Sequence, residues 1–437
     1  MIRKQRKGRI GVLKLLAAVV LLAVIGMSNI PGMGMVSIVH AEGEKTITGL
    51  GTGAIGNPNA PERNDSPWSG SYVYYGKYEN NPVKYRILDA STDRFNSDEE
   101  NTAGIKKMFL DCDSVLFADT FRDNWEESDA NVWKASDLYK RLNTDSNSLL
   151  NTGFTPTESN AIAGSYIDTH ALTSDSTEPG AVNVAVRTKD AFVNYTALEG
   201  EKIFLLDAED ASNNAYGYST TNDPVENRIK AGSWWWLRSP YSSNDIFAGV
   251  VVGNGIMDLD DVDYPGVGVS PAFNVNLSSV IFSSLISSES DSYKLTLKDD
   301  NLGIMSGSVT RDGATITVPY TITGTNASNA TQVSVLVMEG EYSAGTVATS
   351  GYTYMKLAVD SWTTTGTGTF TLPNGYADKT WGTDYRVYIL AEDVNDEKET
   401  DYASAPVEIK AVTAASYDLG ADMVAKAESK ELVEKAS

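Results

Sequence analysis

Three consecutive tryptophans, Trp234-Trp235-Trp236, sit in the stretch GSWWWLRSP (232–240) and constrain this chain more than any other feature. Three adjacent indoles need either a core built around them or a ligand to cover them. On a strand, period-2 alternation puts Trp234, Trp236 and Arg238 on one face and Trp235 and Leu237 on the other. The Trp235/Leu237 face reads as core. The opposite face reads as a stacking surface for a sugar or peptide, or as a cation–π lock on Arg238.

The flanking sequence alternates short strands with short helices. Ser71–Tyr75, Val83–Leu88, Met108–Leu110, Val115–Phe117, Lys202–Leu206 and Val269–Leu277 are apolar runs of strand length. Val250 to Met257 predicts a hairpin turning on Asn254-Gly255. Helix starts are legible too. Thr155-Pro156-Thr157-Glu158 combines an N-cap, a proline at the first helical position and a capping-box glutamate, with Gly164 closing that helix. Ser136 caps a helix with Leu138 and Leu142 on one face, and Asp207 with Asp210 repeats the capping logic before Ala211.

This mixture predicts an α+β domain over residues 71–283, preceded by a Gly, Pro and Asn-rich leader at 42–70. A Ser-rich linker is expected at 284–292. Strand candidates at 293–297, 314–321, 332–338, 368–372 and 385–391 then predict an immunoglobulin-like β-sandwich over 293–412, with a charged tail at 413–437.

Residues 1–41 read as an export signal: Arg3, Lys4, Arg6, Lys7 and Arg9 precede an apolar run from Leu15 to Met27, and Val39-His40-Ala41 fits a cleavage site. The apolar run is short for a membrane span, so no span is expected after cleavage. Cleavage removes six cations and no acid, taking the net charge from −23 to about −29. So acidic a chain argues against nucleic acid as a partner. The single cysteine, Cys112, excludes an intramolecular disulfide.

Catalytic chemistry is sparse. His170 is the one histidine outside the signal, and it reads as a polar loop residue. Zinc sites of His and Cys lack ligands. Asp258, Asp260, Asp261 and Asp263 form the densest acidic cluster, at a spacing that admits Ca²⁺, although Val262 and Asp263 break the EF-hand template. A solvated acidic loop is the competing reading of these four residues.

Trp235-Trp236-Leu237-Arg238-Ser239-Pro240, followed by Gly268-Val269-Ser270-Pro271-Ala272-Phe273-Asn274-Val275-Asn276-Leu277, resembles a domain of unknown function found in secreted proteins of Gram-positive bacteria, whose usual pattern reads WWLRSP…GVRPAF. VKYRILD (83–89), SDLYKRLN (136–143), FTPTESNAIA (154–163) and EKIFLLDAEDA (201–211) extend the resemblance over residues 70–283. Ser270 departs from it, standing where arginine is usual. More remotely, the two motifs are similar to the C-terminal half of C-type-lectin-like folds, including formylglycine-generating-enzyme-like proteins and bacterial variable receptors.

That likeness implies a C-type-lectin-like domain whose ligand contacts come from the segment between the motifs. It implicates Tyr241, Asn244, Asp245 and Asn254 beside Trp234, Trp236 and Arg238, with the four aspartates as the candidate metal residues. The resulting expectation is a non-catalytic binding or adhesion protein, secreted or displayed on a Gram-positive cell. Its partner would be a host or bacterial surface glycan or protein. A carbohydrate-active hydrolase using two carboxylates and a purely structural cell-envelope module stand as alternatives.

Overall fold

Alternation of apolar and polar residues makes strands in both halves of the chain. Thr315–Thr323 shows it most plainly: Ile316, Val318, Tyr320 and Ile322 are buried while the residues between them are partly exposed. The computed structural model describes residues 47–48, 55–172, 193–231, 233–343, 352–376 and 378–410. The export signal expected at 1–41, the start of the leader and the tail at 413–437 lie outside the described residues. Among the described residues no helix is long and apolar enough to cross a membrane.

The α+β expectation is corrected here. Strands hold 43% of the described residues and helices 13%, so the fold is mostly β, with large mixed sheets and no clear lectin-like fold. The caps foreseen in the sequence do form: Thr155 and Glu158 make a capping box, and Ser136 accepts from the Tyr139 N–H. The helices they start are only Pro156–Ala161 and Asp137–Asn143, one to two turns each. Helices this short draw little stability from their own hydrogen bonds and dock on sheets that organise the core.

The largest sheet has 14 strands. Its centre runs Asp401–Ala403, Ser292–Lys298, Tyr72–Tyr78, Asn81–Thr92, Lys107–Cys112 and Ala272–Asn276. Ser292–Lys298, expected to open a separate sandwich, pairs parallel with both Tyr72–Tyr78 and Asp401–Ala403. The Ser-rich segment before it connects the antiparallel strands Val280–Leu285 and Ser292–Lys298.

Beyond Asp401–Ala403 the same sheet continues through Arg386–Asp393, Gln332–Met338 and Tyr352–Lys356. A four-stranded sheet containing Thr315–Thr323 and Thr365–Thr371 packs against this arm, and Ile316, Val318, Val335 and Ile389 meet in the core between them. Gln332–Met338 is buried on both faces: Val333, Val335 and Val337 point into that core, whereas Leu336 and Met338 join Phe282 and Leu390 on the other side. Its nearly continuous apolar run VSVLVM, interrupted by Ser334 alone, has this cause.

The tryptophan motif lies in a separate five-stranded sheet, ordered Met257–Asp261, Phe247–Val251, Trp235–Pro240, Gly268–Val269, Phe117–Ala118. Gly255 supplies the positive φ of the hairpin turn (φ 82°), and Asn254 Oδ1 accepts from the Ile256 N–H.

Candidate functional site

Trp235–Pro240 has no exposed residue, because the strand is covered on both faces. Trp235 donates from Nε1 to the Arg228 carbonyl at 3.1 Å. Trp236 donates to the Asp119 carbonyl at 2.8 Å and packs edge-on against Phe121. The indole N–H groups are thus satisfied inside the protein, as buried tryptophan requires. Trp234 differs: it precedes the strand and is 45% exposed.

Arg238 is wholly buried and acts as a lock, but its partners are acids rather than tryptophans. Nη2 lies 2.9 Å from Asp207 Oδ2, Nη1 lies 2.8 Å from Asp210 Oδ2, and Nη1 also donates to the Leu205 carbonyl at 2.7 Å. Its aromatic neighbour is Phe204, 5.5 Å away. Asp207 and Asp210 do form the reciprocal backbone hydrogen bonds foreseen for a cap, on the 3-10 turn Asp210–Ser212. Asp207 Oδ2 and Asp210 Oδ2 are what hold the motif strand. Two blocks far apart in sequence, EKIFLLDAEDA and WWLRSP, therefore meet as one ion cluster.

His170 closes this cluster on its outer side. It lies on the strand Ser165–Ala171, with Nδ1 2.9 Å from Asp207 Oδ2 and 3.0 Å from Glu209 Oε2. Arg94 donates to Asp210 Oδ1 at 2.6 Å. Burial opposes the imidazolium, but the hydrogen bond to Asp207 and the charges of Asp207, Glu209 and Asp210 outweigh it and raise the His170 pKa. Burial likewise opposes the Asp207 carboxylate, yet Arg238 and His170 hold its pKa below the usual range.

The contribution of His170 to stability is fully present below the ordinary value of 6.5 and is lost as pH rises through the raised folded-state value. Urea unfolding across that range is expected to show this loss in the parent chain and not in His170→Gln. Equal pH profiles for the two would remove His170 from the linkage.

The remaining candidate residues are divided by the strand register. Trp235 pairs with Val251 and Val251 with Met257, which puts Trp234, Asn254 and Asp258 at one end of the sheet. Pro240 pairs with Ala248 and Phe247 with Asp261, which puts Tyr241, Asn244, Asp245 and Asp261 at the other. At the rise of a β-strand these ends are roughly 20 Å apart. Trp236 and Arg238 lie between them with no exposed surface. The structure thus gathers one group of candidates around Tyr241 and separates Trp234 from it.

Asp258, Asp261 and Asp263 are exposed and Asp260 is partly buried. Burial, with the charges of Asp261 and Asp258, pushes the Asp260 carboxyl up. Among the described residues these aspartates form no group of three or more His, Cys, Asp or Glu that could hold a metal ion. Met257–Asp261 is the terminal strand of its sheet, and charge on such a strand discourages pairing with another chain. Replacing Asp258 and Asp261 together by valine is expected to increase self-association in sedimentation velocity, and an unchanged profile would refute that role.

The loop after the motif strand is held by a residue that sequence reasoning missed. Asn131, 1% exposed, donates from Nδ2 to three carbonyls of this loop: Tyr241 at 3.1 Å, Asn244 at 3.2 Å and Phe247 at 2.8 Å. Asn244 Oδ1 accepts from the Ile246 N–H, and the Tyr241 ring packs edge-on against Phe247. The backbone is fixed from beneath while Asn244 and Asp245 remain exposed. No local pattern marks Asn131, because its partners lie 110 to 116 residues away.

No curated protein and no solved structure matches the chain. Residues 106–277, which take in Asn131, His170, Asp207, Asp210, Arg238 and the whole 241–247 loop, match a family described as a domain of unknown function, DUF6273.

Proposed function

We propose that this is an exported, non-catalytic binding protein, secreted or displayed on a Gram-positive cell, which meets a surface glycan or protein through the loop at 241–247. The observation that carries the reading is the Asn131 clamp. A polar loop whose carbonyls are tied to one buried amide loses little conformational freedom when a partner docks, which is how a preorganised surface gains affinity. The exposed Asn244 and Asp245 supply hydrogen-bonding groups, and the half-buried Tyr241 supplies an aromatic edge. The acidic surface favours neutral or cationic partners over polyanions.

Glycan and protein arrays probed with the chain test this. A specific hit is expected to weaken at least tenfold in Tyr241→Ala and in Asn244→Ala, with melting temperatures close to the parent's. Silence across broad panels with folded protein, or a hit indifferent to both substitutions, would reject the reading.

A further inference from the structure

A cavity of about 530 Å³ opens where residues 76–80 and 152–158 meet residues 395–402. Its volume falls in the range of about 300–1,000 Å³ that small-molecule sites occupy. None of its walls belongs to the 241–247 loop.

The inner wall is built from buried polar side chains. Glu158, 4% exposed, accepts from the Gly76 N–H at 3.1 Å, the Thr155 N–H at 2.9 Å and the Thr400 hydroxyl at 2.6 Å. The capping-box glutamate of the motif FTPTESNAIA therefore also ties the cavity's walls together. The Tyr402 hydroxyl lies 2.8 Å from Thr155 Oγ1. On the same lining, Gly76 has φ 64°, and a Cβ there would come within 2.5 Å of the Phe154 ring. Only glycine lets backbone and ring approach this closely.

The turn beside it is the two-residue hairpin loop between Tyr72–Tyr78 and Asn81–Thr92. Glu79 and Asn80 both take left-handed conformations, at φ 49° and 64°. A two-residue hairpin turn needs positive φ at both positions, which fixes this edge of the cavity. Lys77 and Glu399 form an ion pair of 2.8 Å between two of the lining segments, and both remain accessible to water.

The lining sets the ligand class. The lining combines the aromatic side chains of Tyr78, Phe154 and Tyr402 with an ammonium, a carboxylate and the Asn80 and Asn395 amides. An apolar surface with a few convergent donors and acceptors suits a hydroxyl-rich ring that has a C–H face. Three glutamates, Glu79, Glu158 and Glu399, against the single lysine Lys77 disfavour an anion. We propose that this cavity is a binding site for a neutral mono- or disaccharide.

Saturation-transfer NMR and calorimetry on the full chain, with glucose, N-acetylglucosamine, maltose and cellobiose at millimolar concentration, test this. At least one of the four is expected to bind, with chemical-shift changes centred on Tyr78, Phe154 and Tyr402. Affinity should fall at least tenfold in Lys77→Met and in Glu399→Gln, while Tyr241→Ala leaves it unchanged, which separates this site from the loop surface. Failure of all four sugars to bind, shifts centred elsewhere, or undiminished binding in both rim variants would overturn the proposal.

Discussion

Arg238→Met is expected to lower the free energy of unfolding by about 3–5 kcal/mol, the cost of leaving a buried charge without its partner. Methionine fills much of the space, so the loss comes from the acids left behind. Asp207 and Asp210 have no exposed side-chain surface; Asp210 accepts a hydrogen bond of 2.8 Å from the guanidinium, and Asp207 forms an ion pair with it at 2.9 Å. Arg94 and His170 remain on the other side of the cluster, but neither reaches the Leu205 carbonyl that Arg238 satisfies. Arg238→Lys keeps the charge and is expected to recover only part of the loss, because an ammonium cannot span two carboxylates and a carbonyl as the planar fork does. Urea unfolding followed by tryptophan fluorescence measures both. A cost below about 1 kcal/mol for the methionine variant would rank the cluster with exposed ion pairs and end its role as a lock.

The same cluster shows how far the sequence could be read. Period-2 alternation placed Trp235 and Leu237 correctly in a core, but it could not show that the Trp236/Arg238 face is covered as well. That requires the second layer, which comes from Phe121, Asp119 and the 204–210 segment. Capping signals at Ser136, Thr155 and Asp207 were legible because their hydrogen bonds reach only three residues along the chain. They inflated the helical content, since a cap specifies where a turn starts and not how long it continues. The parallel pairing of Ser292–Lys298 with Tyr72–Tyr78 left no local trace, so turn rhythm alone suggested a module boundary where a continuous sheet exists.

The candidate sites follow the same rule. Tyr241, Asn244 and Asp245 could be nominated from a segment between two motifs, whereas the clamp beneath them could not. The cavity at 76–80, 152–158 and 395–402 draws on stretches more than two hundred residues apart, and Glu158 was visible in sequence only as a capping residue. His170, read as a loop histidine, is bound to two acids because the strand it occupies crosses the Asp207 turn.

Lys230→Met is expected to cost about 3–5 kcal/mol as well, and the way it couples to position 270 carries more information than the cost itself. Lys230 and Asp111 are both fully buried, with Nζ 2.7 Å from each carboxylate oxygen and 4.0 Å above the Trp235 ring. Burial pulls the lysine pKa down against the pull of Asp111. The third partner is Ser270 Oγ, also at 2.7 Å. A cation from either position would face the same carboxylate, and here it comes from Lys230. Ser270→Arg alone is therefore expected to destabilise by about 1–3 kcal/mol through overpacking, with like-charge repulsion added. In the Lys230→Met background the same change should recover stability, because the guanidinium then becomes the only new partner within reach of Asp111. A double-mutant cycle reads this as a coupling energy of about 1–3 kcal/mol. Purely additive costs would show that positions 230 and 270 do not serve one buried carboxylate, and the serine would then have no link to the lysine beyond their hydrogen bond.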